Sequence, residues 1–127
     1  MDAPTLTARH PLENGLTLEI WDHSRLVAGD RWLVRLETRI VIPVLEANLP
    51  ANLKPQAAEI RKILGESLTF SHYEERNFIA THAVADLLAD MYDRMAANAE
   101  SYFGHREFAP RFIRKQYQEI MERRRWQ

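Results

Sequence analysis

Asp22, His23 and Ser24 stand in a row within WDHSRLVAGDRW, residues 21–32. They are the three residue types of a hydrolytic triad, in which a serine oxygen attacks, a histidine takes its proton and an acid orients the ring. Their spacing argues against that use. In an extended chain successive side chains alternate, so Asp22 and Ser24 point one way and His23 the other. A nucleophile, its base and the orienting acid must converge on one reacting atom, which strand neighbours do not do. No Gly-x-Ser-x-Gly elbow presents the serine either. The three are expected as solvated polar residues near the end of a β-hairpin.

A second arrangement is His82 with Asp86, four residues apart, with Asp90 continuing the row. That spacing puts side chains on one helical face, as metal-binding helices require. A metal-assisted hydrolase on His82 and Asp86, with His72 or another histidine completing the set, is therefore one alternative. The pattern lacks the flanking glutamate of HExxH, and His or Asp in a first helical turn has ordinary electrostatic reasons. His72 falls in step with Leu68 and Phe70 and is expected near the core as an edge histidine. Glu74 and Glu75 are neighbours whose side chains diverge. The expectation is no metal, no cofactor and no converging catalytic set.

A third group belongs to binding rather than to chemistry. Trp21, Leu33 and Val41 interrupt a strand face otherwise made of Arg31, Arg35, Glu37 and Arg39. An aromatic beside Arg35 or Glu37 on a paired strand is the composition of protein interfaces. At the other end, Arg111, Arg114, Lys115, Arg123, Arg124 and Arg125 form a basic helix whose arginines can grip phosphates in two-pronged fashion. Residues 1–107 carry 16 acids and 11 bases, a balance of −5, while residues 108–127 carry six bases and two acids, a balance of +4. A nucleic acid or an acidic partner is the alternative this tail supports. Against it, positions 111, 114 and 115 are the polar side of an amphipathic helix, and no nucleic-acid-binding motif is present.

The elements that must position these residues follow from periodicity. LTLEI, residues 16–20, and RWLVRLETRIVIPV, residues 31–44, alternate apolar and polar residues with a period of two. Both read as half-buried strands joined by a turn around Ala28-Gly29. Leu16, Leu18 and Ile20 must share a face with Trp32, Val34, Leu36, Ile40 and Ile42, so even residues must oppose even ones. A two-residue Ala28-Gly29 turn breaks that rule. An odd-length loop or a bulge containing Gly29 keeps it, and one such register sets Glu19 beside Arg39. SLTFSHY, residues 67–73, is a third strand, preceded by a short helix near 55–64. A long helix with a stripe from Val84 to Phe103 and a final helix from about Pro110 to Arg125 complete the chain.

At 127 residues, with 46% hydrophobic and 28% charged residues, the chain is one globular domain's worth. The absence of cysteine excludes disulfide scaffolds and thiol chemistry. No basic-then-apolar leader is visible and no segment is long enough to span a bilayer, so a cytoplasmic protein is expected. Residues 1–11 are expected as a loose arm and 12–127 as a single α+β domain. In it, an antiparallel sheet of about three strands, in the order β-β-α-β-α-α, packs against two C-terminal helices.

LENGLTLEIWDHSRLVAGDRWLVRLE, followed by EIRKILGE and a long helix, resembles a group of small uncharacterised bacterial proteins from Leu12 onward. The resemblance implies a bacterial cytoplasmic origin and assigns no functional residue. The leading expectation is a non-enzymatic domain that binds another protein or itself, possible as a homodimer, without a membrane partner.

Overall fold

The structure is a computed structural model and describes residues 3–126. It has a mixed α+β architecture: an antiparallel sheet of five strands and three α-helices. The strands are β1 (Thr5–Pro11), β2 (Thr17–Asp22), β3 (Arg25–Ala28), β4 (Arg31–Pro43) and β5 (Ser67–Ala80). The helices are α1 (Ala57–Leu64), α2 (Val84–Tyr102) and α3 (Phe108–Arg125), with short 3-10 turns before α1 and α2.

Strand β4 is the axis of the sheet. On one side it pairs with β5; on the other it pairs with β2 and β3, which lie end to end, and β1 flanks β2 at the edge. The β2–β4 register joins Leu18 to Ile40, Glu19 to Arg39 and Ile20 to Thr38, the even-to-even pairing that burial demands. The parity is set at the hairpin tip. Ala28 pairs with Arg31 around Gly29-Asp30, and a shift between Leu26 and Ala28 leaves Val27 as the extra residue. Gly29 has a φ of +52°, a conformation glycine takes without steric cost.

Two sequence expectations are corrected. Residues 5–11 are not a loose arm but strand β1, joined to β2 through the Asn14-Gly15 turn, where Gly15 has a φ of +89°. This edge strand alternates only between exposed and half-buried positions, so its hydrophobic signal is weak. The Tyr92 hydroxyl of α2 donates to Thr7 Oγ1, which in turn donates to the Ile20 carbonyl at 2.9 Å. Residues 1 and 2 of the expected arm lie outside the described residues. The sheet also has five strands rather than about three. Besides β1, the expected first strand continues past His23 and Ser24 as β3. Strand β5 also runs beyond Tyr73 to Ala80, because the long β4 offers partners to Glu75, Arg76 and Ile79.

Near the far end of β5 the register slips between Trp32 and Val34. There Phe78 takes a φ of +57° and is 72% exposed, a left-handed conformation that a bulky side chain pays for in steric strain. Thr81 ties this end to the hairpin tip: it donates to the Asp30 carbonyl and accepts from Trp32 Nε1.

The even-numbered face carries the core. Leu18, Ile20, Val34, Leu36, Ile40 and Ile42 are buried there, with Ile60 of α1, Met91 and Ala99 of α2, and Phe108, Ala109 and Ile113 of α3 packed over them. Phe70 of β5 sits among Phe103, Phe108 and Phe112 at centroid distances of 5.3–5.7 Å, mostly edge to face. Among the described residues, no helix covers the odd-numbered face.

Candidate functional site

The odd face of the sheet holds a built polar site around Glu37. This residue is the middle of β4, opposite Trp21 on β2 and Tyr73 on β5, and it is only 2% exposed. A carboxylate buried without partners costs several kcal/mol, so its lone pairs must be matched. Arg39 donates from Nε to Oε2 at 3.1 Å and from Nη2 to Oε1 at 2.8 Å. Ser71 Oγ donates to Oε2 at 2.7 Å. His23 Nε2 lies 2.8 Å from Oε1 and, since a carboxylate only accepts, carries the proton between them. Burial pushes the Glu37 carboxyl up, but the hydrogen bonds from Arg39, Ser71 and His23, with the Arg39 charge, outweigh it and hold the group at about 2.

Two aromatic rings flank this carboxylate, each under a guanidinium. Arg39 lies over Trp21 at 4.4 Å and Arg35 over Tyr73 at 4.0 Å from the ring centroids. His23 meets Tyr73 edge-on at 5.5 Å. Outside them, Trp21 Nε1 and Arg9 both donate to Glu19, at 3.1 and 3.0 Å, and Arg35 pairs with Glu75 at 3.5 Å. Alternation is the cause: a period of two places Arg35, Glu37 and Arg39 on one side of β4, and the even-to-even register brings Glu19, Trp21, Ser71, Tyr73 and Glu75 beside them.

Chemically, this set is a carboxylate whose acceptor positions are taken by a guanidinium, a hydroxyl and an imidazole. A general base works best with a pKa near the operating pH, and a carboxylate held at about 2 is far too weak. Ser71 donates to that carboxylate rather than to a histidine, so it is not activated as a nucleophile. The row that spells a triad is dispersed: Ser24 N–H donates to Asp22 Oδ1, Ser24 Oγ accepts from Arg35 N–H, and His23 goes to Glu37.

Of the sequence-derived candidates, Trp21 and Arg35 enter this site. Leu33 is half-buried on β4, opposite Arg25. His72, His82 and Asp86 are all exposed; His72 is paired with Thr38 in mid-β5, His82 lies in the 3-10 turn before α2 and Asp86 in the first turn of α2. Among the described residues no three His or acidic side chains form a group able to hold a metal. His72 instead borders a cleft with Glu74 and Arg94 between β5 and α2. Arg111 and Lys115 line a separate cavity at the start of α3. Arg114, Arg123, Arg124 and Arg125 are exposed, and Arg125 pairs with Glu122 at 3.5 Å. Sequence reasoning placed Glu37 and Arg39 on a polar strand face but not in a buried cluster; the signal was there in one acid flanked by arginines two residues away on either side. Ser71 and Tyr73, on another strand, carried no such signal.

Comparison with protein-family models, with curated protein sequences and with solved structures gives no match to this chain. Among the described residues, no helix is long and apolar enough to cross a membrane.

Proposed function

We propose that this protein is a small binding module that pairs with a second copy of its own chain through the open sheet face. One observation carries the reading: the Glu37 network fixes Trp21, Tyr73 and two arginines as a preformed surface facing solvent. Aromatic and arginine side chains dominate binding energy at interfaces, and holding them in place beforehand lowers the entropy lost on association. Tyr73 is 41% exposed and Val41 48% exposed on this face, so apolar area remains to be buried.

Charge favours a second copy as the occupant. Around Glu37, Arg9, Arg35 and Arg39 stand among Glu19, Glu37 and Glu75, so this central patch is balanced, while Arg25 and Arg31 extend the same face towards the hairpin tip. A balanced, alternating patch meets its own twofold copy without net repulsion, as a self-complementary interface requires. Light scattering coupled to size exclusion, over a range of concentrations, tests this. A dimer for the native chain and a monomer for Trp21→Ala, with unchanged circular dichroism, is the expected result. A native chain that stays monomeric at the highest concentration overturns self-association and leaves a different protein as the face's partner.

A further inference from the structure

We propose that the cavity between the end of α2, the start of α3 and Phe70 of β5 binds a small aromatic monoanion. This site is on the helical side of the molecule and is independent of the sheet-face reading.

The cavity has a volume of about 390 Å³, within the ~300–1,000 Å³ typical of small-molecule sites. Its wall is aromatic: Phe70, Tyr102, Phe108 and Phe112 line it. Tyr102 is 64% exposed, although it meets Phe103 and Phe108 at 4.9 and 5.9 Å, so an aromatic side chain is left facing the opening. A flat ring seated here would gain the offset or edge-to-face contacts that aromatic groups favour.

The polar groups at the cavity select charge. Arg111 and Lys115 are one helical turn apart on α3 and both line it. Neither is in an ion pair among the described residues. Glu107 also lines it, so Arg111 and Lys115 outnumber the one acid by a single charge, which suits a monoanion better than a dianion. The Glu107 backbone N–H donates to His105 Nδ1 at 3.0 Å, so Nδ1 is engaged as an acceptor and Nε2 is the ring nitrogen left to donate. Ser101 completes the polar lining, with its hydroxyl donating to the Asn98 carbonyl. An apolar wall with a few convergent polar groups is the general form of a ligand site.

The test uses two probes with the same ring system. Purified full-length protein is titrated with 8-anilinonaphthalene-1-sulfonate, which carries the anion, and with N-phenyl-1-naphthylamine, which lacks it, and fluorescence is followed. Saturable binding of the sulfonate at one site per chain is expected. The double variant Arg111→Gln, Lys115→Gln is expected to weaken it about tenfold or more, as loss of charge-assisted contacts implies. The same variant should leave the neutral probe within about twofold, since its ring contacts are untouched. Arg123→Gln with Arg124→Gln removes as much charge from the same helix away from the cavity and should change neither probe. The replaced residues are exposed, so folding is expected to persist, and circular dichroism checks it. Competition by 1-naphthoate should displace the bound sulfonate. Non-saturating binding, equal weakening by the two double variants, or no competition by naphthoate would overturn the proposal.

Discussion

Leu36 and Glu37 are adjacent in β4 and both are hidden from water, at 0% and 2% exposure, by opposite means. Leu36 lies on the even-numbered face, in the continuous apolar core to which α1, α2 and α3 contribute. Glu37 points to the side no helix covers and is hidden by its own strand neighbours, whose guanidinium, hydroxyl and imidazole groups also satisfy it. Burial of the first is a gain from removing apolar surface from water. Burial of the second is a cost offset by charge-assisted hydrogen bonds. The helical face is therefore held by apolar burial, whereas the open face is held in one arrangement by matched charges and hydrogen bonds.

The largest perturbation removes the helical cover. Deleting residues 108–127 takes away Phe108, Ala109 and Ile113 and opens the core over Phe70. Buried large apolar side chains contribute ~1.5–3 kcal/mol each against a total of ~5–15 kcal/mol, so the shortened chain is expected to be insoluble or unfolded. A soluble product with a cooperative thermal transition would mean that α3 is a detachable arm.

Next comes the direct comparison along β4. Leu36→Ala should cost about 2–5 kcal/mol, since the fully packed site leaves a cavity, and urea unfolding at neutral pH measures it. Glu37→Gln should cost less, about 2–3 kcal/mol, because the amide keeps some partners and Arg39, partly exposed, can turn to water.

The two variants should separate in acid. The Glu37 carboxyl is held at about 2, below its ordinary 4.5, so its contribution is complete above about pH 4.5 and is lost as pH falls towards 2. By linkage that contribution is about 3 kcal/mol. The gap between native chain and Glu37→Gln should close over that range, while the gap for Leu36→Ala stays constant. Unfolding midpoints at pH 7 and pH 2.5 make the comparison; a gap for Glu37→Gln that persists at pH 2.5 would show that its cost is packing, not charge.

The smallest effect is expected where neither face is involved. Replacing Arg123, Arg124 and Arg125 by Gln should shift stability by less than about 0.5 kcal/mol, because all three are exposed near the end of α3. A thermal melt within a degree or two of the native chain is the expected result.

Much of this architecture was legible without coordinates because it rests on local periodicity. The alternation in residues 16–20 and 31–44 determines two strands and which of their residues face inward. The need for even residues to oppose even ones, with a glycine at the turn, restricts the register to one parity, and one register of that parity is the observed one with Glu19 beside Arg39. The stripes of residues 84–103 and 112–121 determine two amphipathic helices. What periodicity reports is the side of an element, not what lies across from it. The tertiary structure alone decided that Thr5–Pro11 pairs as an edge strand, since that depends on β2 being present beside it. It alone decided that Ser71, 34 residues from Glu37 and on another strand, completes the carboxylate's partners. It also decided that Phe70, Tyr102 and Phe112, which read as core stripes, leave a cavity with Phe108 beside Arg111 and Lys115. The physical reason is shared by all three: burial of an apolar stripe is favourable almost anywhere, whereas hydrogen bonds and cavities depend on atoms meeting within a few tenths of an ångström across distant segments.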